Sequence, residues 1–127
     1  MYQHQFKSSI FTPSGEIITD RIYSAAGHVG VVESIANGQT NFVVNLAIDV
    51  SAVKSIVIVS DQNITVKTND NSTPDNTLTL VAGKEYSWNT DSLQSLLLTA
   101  DVTSLHVANA SGETATLTLD CILDPSP

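Results

Sequence analysis

The feature that most constrains the fold is a repeated alternation of apolar and polar residues with a period of two. It is clearest at residues 42–48, where Phe42, Val44, Leu46 and Ile48 share one side of an extended chain. Runs with the same period also occur at residues 64–68, 78–80, 105–107 and 117–123. This period is that of a β-strand with one buried face, so the sequence predicts sheets that are covered on one side.

Polar turn sequences separate the periodic runs at intervals typical of sandwiches and barrels. They are residues 13–15, 37–38, 60–63, 69–72, 82–83 and 110–112. Further strands are expected at residues 5–11, 16–24 and 28–36, and the apolar run at 56–59 predicts a central strand covered on both sides. The best helix candidate, residues 90–97, supplies about two turns at most. We predict an all-β fold, an antiparallel β-sandwich that is jelly-roll-like and has about 8–10 short strands.

Chain length and charge limit the number of domains and the kinds of partner. The 127 residues fit one β-sandwich domain spanning residues 1–127. Thirteen acidic and five basic residues give a formal charge of -8. This acidic field disfavours phosphate backbones and anionic lipids, so we expect no nucleic acid and no membrane as partners. The N-terminus lacks the pattern of a secretory signal, and synthesis in a cytoplasm is expected.

No set of reactive residues in the sequence matches a catalytic or metal-binding motif. His4, His28 and His106 lack zinc spacing, and Cys121 lies in an alternating strand that predicts a buried thiol. A Ser-His-Asp triad is defined by geometry rather than composition, and no Gly-x-Ser-x-Gly sequence is present. The polar residues between 61 and 76 lack the spacing of a calcium loop and are interpreted as turn residues. We predict that the protein is not an enzyme and has no catalytic residue, no metal site and no cofactor.

One pair of aromatic residues allows two interpretations. Tyr86 and Trp88 lie on one side of a predicted strand. They would either stack on sugar rings from an exposed face or pack into the core in a hairpin with Leu78 and Leu80.

The N-terminal stretch carries the apolar rings of Tyr2, Phe6 and Phe11 among polar residues. Residues 1–11 are interpreted either as an arm that adds to the sheet edge of a neighbouring molecule or as an ordinary first strand. In the first case Tyr2, Phe6 and Phe11 are the partner-binding residues. At the other end, residues 124–127 include two prolines and are expected to form neither sheet nor helix.

Within residues 42–127 the identities of the residues are informative in addition to their periodicity. The relevant segments are Asp49–Ser55, Ser60–Asp70, Ala82–Trp88, Leu98–Leu105, Val107–Gly112 and Leu123–Pro127. They resemble a family of small tailed-bacteriophage virion structural proteins. The resemblance implies a capsid cement or decoration role, with jelly-roll-like subunits that sit as homotrimers on the capsid exterior. It transfers no individual residue.

The resemblance leads to one function hypothesis with two alternatives. The hypothesis is a cement protein that is located on the virion exterior, binds the major capsid protein and itself, and stabilises the expanded head. One alternative is a tail or fibre-base structural protein with the same fold. The other is a carbohydrate-binding module, which needs Trp88 or Tyr86 to be exposed. A hydrolase is a more distant hypothesis that requires an Asp, a Ser and a His within hydrogen-bond reach.

Overall fold

The computed structural model describes residues 1–124, which form mainly β-strands. The strands of this part of the chain are β1 Tyr2–Thr12, β2 Gly15–Ala25, β3 Gly27–Ile35, β4 Phe42–Ile48, β5 Val53–Ser60, β6 Ile64–Thr68, β7 Thr77–Leu80, β8 Tyr86–Asn89, β9 Val102–Ala108 and β10 Ala115–Leu123. A short 3-10 helix at Val50–Ala52 precedes β5. Most of the Pro-containing ending, residues 125–127, lies outside the described residues.

Strands β3 to β10 form two four-stranded antiparallel sheets that pack face to face. The first sheet has the order β3-β10-β5-β8 and the second sheet the order β4-β9-β6-β7. The core between them includes Ile56, Leu117 and Leu119 from the first sheet and Val66 and Val107 from the second, each at most 2% exposed. The prediction of an all-β antiparallel sandwich is therefore confirmed.

The alternation that predicted β4 is confirmed by burial. Val44 and Ile48 face the core, whereas Val43 is 47% exposed. The predicted buried thiol is confirmed as well, because Cys121 is fully buried. Burial, assisted by the nearby Asp120 carboxylate, raises the pKa of the Cys121 thiol to about 12.

The helix candidate at residues 90–97 does not form. The segment is a loop fixed by contacts to β8: Trp88 Nε1–H donates to the Gln94 carbonyl at 2.8 Å, and the Leu97 N–H donates to the Tyr86 hydroxyl at 3.0 Å. Tertiary contacts thus override a weak helical pattern. None of residues 1–124 belongs to a helix long and apolar enough to cross a membrane.

The predicted hairpin of Leu78 and Leu80 with Tyr86 and Trp88 is also wrong. All four side chains pack on the core, but β7 pairs with β6 in the second sheet and β8 pairs with β5 in the first. The turn between them is a connection from one sheet to the other. Its Gly83 N–H donates to a carbonyl at the end of β5, 2.8 Å away, instead of closing a tight hairpin.

Strands β1 and β2 form a separate two-stranded ribbon, here called the hairpin (residues 2–25). Its register is unbroken from the pair Tyr2–Ala25 to the pair Thr12–Gly15, and a two-residue loop closes it. Gly15 has a φ of 133°, a conformation that L side chains rarely adopt. Residues 1–11 are thus part of a larger projecting element that contains both strands.

Candidate functional site

The hairpin lies across the outer side of the first sheet, and its contacts trace a path from strand to strand. Tyr2 stacks on His28 of β3, with ring centroids 4.9 Å apart. His4 contacts Asp120 of β10 and Ser55 of β5. Because the sheet order is β3-β10-β5-β8, the ribbon runs across the underlying strands, from the β3 edge toward the β8 edge.

At the β8 edge the hairpin leaves the sandwich. The Tyr23 hydroxyl donates to Asp91, just after β8, at 2.9 Å. Phe6 and Arg21 line a shallow depression together with Asn89, the last residue of β8. Beyond this point almost every residue is exposed. We call residues 2–6 and 21–25 the base of the hairpin and residues 7–20 its tip.

A hydrogen-bonded group of four side chains, here called the clasp, attaches the base to the sandwich: Ser55, His4, Asp120 and His28. His4 Nδ1 lies 2.8 Å from Ser55 Oγ, and His4 Nε2 lies 2.6 Å from Asp120 Oδ1. His28 Nε2 lies 2.9 Å from the other Asp120 oxygen. Gly30 leaves room for this arrangement, because a Cβ there would lie 2.9 Å from His28 Cε1.

The carboxyl group of Asp120 is the centre of the clasp. Partial burial would raise the pKa of Asp120, but the hydrogen bonds and charges of His28 and His4 outweigh burial and hold that pKa below its usual value. Asp120 is therefore an ionised acceptor at neutral pH. Its side chain is 44% exposed, so solvent screens these interactions and the clasp determines orientation more than stability.

A small second core supports the base beside the clasp. It consists of Ile122 from β10 with Tyr23 and Ala25 from β2, and Phe6 packs against it. Ile122 is 1% exposed, and the rings of Phe6 and Tyr23 meet edge to face at 5.7 Å. The hairpin is thus docked by apolar packing as well as by polar contacts.

Ser55, His4 and Asp120 also have the connectivity of a Ser-His-Asp triad, which is the observation that the hydrolase hypothesis requires. In serine hydrolases the hydroxyl is open to the substrate carbonyl. Ser55 is 0% exposed, because the hairpin base covers it. A substrate carbonyl has no access to Ser55 Oγ in this conformation, so we interpret the three residues as a structural contact. The absence of enzyme activity stays a prediction.

The tip exposes apolar side chains on both of its sides. Ile10 and Ile17 are cross-strand partners, 53% and 54% exposed, and lie on the side whose base packs on the sandwich. We call this the body-facing side. Phe11, Ile18 and Ile22 lie on the opposite, outer side and are 80%, 69% and 60% exposed.

The hairpin is neutral, in contrast to the rest of the chain. Its charged residues are Lys7, Glu16, Asp20 and Arg21, two of each sign, so the formal charge of -8 lies wholly outside residues 2–25. Polar side chains support the ribbon across its strands. Gln5 donates to Asp20 at 2.9 Å, and the hydroxyl of Ser9 donates to Glu16 at 2.7 Å. The polar groups therefore pair within the ribbon and leave the apolar ones exposed.

The three predicted partner-binding residues have different environments. Tyr2 and Phe6 belong to the base, where they pack against His28 and Tyr23. Phe11 is at the tip and is free to meet a partner. The prediction omitted the isoleucines of β2, although the two expected strands on either side of the Pro-Ser-Gly turn were a signal for a hairpin. The clasp had no signal in the sequence.

The polar segment between residues 61 and 76 serves the turns. Asp61 Oδ1 accepts the Thr116 N–H at 2.8 Å. Asn69, with a φ of 69°, donates to the Asp101 carbonyl and accepts the Thr103 N–H. Over residues 1–124, no three His, Cys, Asp or Glu side chains are grouped in a way that suits a metal ion.

Comparisons of this chain with protein-family models, curated proteins and solved structures found no match. The described residues define an antiparallel β-sandwich from which a neutral, apolar-tipped β-hairpin projects. Function is therefore inferred from this geometry and from the sequence.

Proposed function

We propose that this protein is a bacteriophage virion structural protein, most specifically a cement or decoration protein. It binds the major capsid protein on the shell exterior, assembles with itself as a homotrimer and stabilises the expanded head. The observation that carries the proposal is the hairpin tip, an element that exposes apolar residues and is built to reach another molecule.

An isolated two-stranded hairpin is marginally stable in water, because it buries little apolar surface. The tip exposes Ile10, Phe11, Ile17 and Ile18, and these side chains contribute little to the sandwich. An exposed apolar ribbon with open strand edges is a risk of aggregation unless a partner covers it. We assign the outer side, with Phe11 and Ile18, to the shell protein.

The strand order supports a further assignment. We infer that β3 to β10 form a jelly roll, because the sheets β3-β10-β5-β8 and β4-β9-β6-β7 are built from chain segments that cross repeatedly between them. Eight strands in two such sheets make the two Greek keys of that fold, which occurs in viral capsid domains and in lectins. The fold alone does not select between these functions.

The mechanism is thermodynamic. A protein that binds the expanded shell but not its precursor stabilises the expanded state by mass action, and trimers bound at several points gain avidity. The charge of -8 suits an exterior position, because it repels packaged DNA and requires neither nucleic acid nor membrane as a partner.

Immunogold labelling of particles from the source organism tests the proposal. Antibody against the purified chain is expected to label the head surface evenly. Label confined to the tail would replace the proposal with the tail or fibre-base alternative. Particles without label would overturn both.

A carbohydrate-binding module is the second candidate, because Tyr86 and Trp88 line an open depression together with the fully exposed Leu93. Against it, both rings are half-buried and their polar atoms are already hydrogen-bonded within the chain. Trp88 is the only tryptophan, so its fluorescence reports directly on this depression. Saturable quenching by mono- or oligosaccharides would favour the module, and an unchanged spectrum would exclude stacking on Trp88.

A further inference from the structure

We propose that copies of this chain associate head to tail: the body-facing side of one hairpin tip, with Ile10 and Ile17, lies on the outer face of the first sheet of the next copy. The inference deepens the proposed function, on which it rests in treating the hairpin as an assembly element. It names a second copy as the occupant of one side of that element.

The proposed contact continues packing that already exists within one chain. The body-facing side of the base packs on the outer face of the first sheet through His4 and Tyr23. Directly opposed residues share a side of the ribbon, so the same side continues into Ile10 and Ile17 at the tip. The body-facing side of the hairpin therefore packs on the first sheet at the base and exposes apolar side chains at the tip, beyond the β8 edge.

The outer face of the first sheet has an uncovered area beside its own hairpin. The base covers the part of the outer face around Ser55 and Asp120. The next row of outward residues crosses three strands as Val32, Thr118 and Val59. Val32 is 71% exposed, and a shallow depression at the other end of the row is lined by Val59 and Thr118, with Asp61 at its far side. This row is apolar or hydroxylic and carries no charge.

The outer face of the second sheet also has an uncharged row, at Thr79, Thr65 and Ala108, but the middle of that face is polar. Its outer face carries Val43 and Asn45 on β4, Lys67 on β6 and His106 on β9. His106 is hydrogen-bonded to Ser104 on the same strand. The packing of the hairpin base on the first sheet, rather than composition alone, therefore identifies the first sheet as the receiving surface.

The charge distribution of the chain also favours contact through the tip. The sandwich carries the whole formal charge of -8, so two sandwiches repel each other at close range, whereas the hairpin is neutral. Each strand of the tip spans about 20 Å, which exceeds the Debye length of about 8 Å at physiological ionic strength. Contact through the tip joins two copies while most of their acidic surface stays apart.

The contact is heterologous, because the tip and the Val32 row are different surfaces. Such contacts form closed rings when the rotation between copies allows it. A contact through one tip is smaller than the roughly 800 Å² per partner of a standard interface, so a single contact is expected to be weak. A ring in which each copy both gives and receives a tip compensates for that weakness.

Sedimentation equilibrium of the purified chain at micromolar concentrations tests the inference. Wild-type protein is expected to form oligomers that Ile17→Asp reduces to monomers, while the matched control Ile18→Asp, one residue away on the outer side, leaves them intact. On the receiving face, Val32→Asp is expected to abolish association. Val43→Asp, at the equivalent outward position of the second sheet, is expected not to. Circular dichroism establishes that each variant is folded, and Ile10→Asp is the second tip variant if Ile17→Asp is not.

Mixing the two disrupted variants distinguishes a head-to-tail contact from a symmetric one. Ile17→Asp keeps an intact receiving face and Val32→Asp an intact tip, so their mixture is expected to give a heterodimer that grows no further. A monomeric wild type, oligomers that survive both substitutions, or a mixture without heterodimer would overturn the inference. None of these results depends on a capsid, so the inference and the cement proposal fail separately.

Discussion

Ile122→Ala is the substitution that separates hairpin docking from the stability of the sandwich. Ile122 is 1% exposed, but its side chain lies on the outer side of β10 in the small core under the hairpin base. Leu119, on the same strand, is 2% exposed and lies in the main core. The two residues are a matched pair of similar size with different partners.

The expected magnitude follows from the buried volume that is lost. Removing three buried carbons costs about 0.8 kcal/mol each, and the remaining cavity brings the total to about 3 kcal/mol. In Ile122→Ala this cost falls on the docked state, so the equilibrium constant for undocking rises about 100-fold. Leu119→Ala costs a similar amount, but its contacts persist when the hairpin undocks, so undocking is unchanged.

Native-state hydrogen exchange resolves the two cases. The amides of residues 2–6 and 21–25 are expected to exchange about 100-fold faster in Ile122→Ala and at the wild-type rate in Leu119→Ala, because an undocked two-stranded ribbon is marginally stable. In contrast, Leu119→Ala is expected to lower the urea midpoint of the sandwich, followed by Trp88 fluorescence. If Leu119→Ala accelerates the hairpin amides as much as Ile122→Ala does, the hairpin is no separate unit and the reasoning is refuted.

Three further predictions concern the clasp, the thiol and one turn. The pKa of Asp120 is lowered in the folded state, so the contribution of its carboxylate to docking is present above about pH 3.9 and is lost as the pH falls through the lower folded value. The NMR shifts of the hairpin amides are expected to change in that acidic range. If the same change persists in Asp120→Asn, the assignment to Asp120 is contradicted. Cys121 is fully buried and its thiol pKa is about 12, so it is expected to resist iodoacetamide at neutral pH until the protein is denatured. Mass spectrometry measures the labelling, and rapid labelling of the native protein would disprove the burial of Cys121. Asn69→Ala is expected to cost about 3 kcal/mol in urea unfolding, from positive-φ strain and from the lost side-chain hydrogen bonds to Asp75, Asp101 and Thr103. Asn69→Gly loses the same hydrogen bonds but accepts the backbone conformation, so it is expected to cost less, and equal losses would rule out strain.

Local pattern was sufficient for the strands but not for their partners. A period of two identified β4 and β10, because a half-buried strand leaves that signal in adjacent residues. The same pattern gave no information on whether Leu80 and Tyr86 belong to one sheet or two. That choice depends on whether β8 pairs with β5, which is distant in sequence, while β7 pairs with the preceding strand β6. The turn at Ala82–Gly83 is compatible with either arrangement.

The clasp shows why the site could not be predicted from the sequence. His4 and Asp120 are 116 residues apart, and they meet because the hairpin crosses the sheet rather than extending it. Isolated histidines without metal spacing are usually solvated or hydrogen-bonded, so the sequence gives no reason to single out His4 or His28. Their role emerges once the apolar contacts of Ile122 place the hairpin base on the outer face of the first sheet. Apolar packing therefore supplies the affinity of the base for the sandwich, while Asp120 and its two histidines select the direction in which the tip projects.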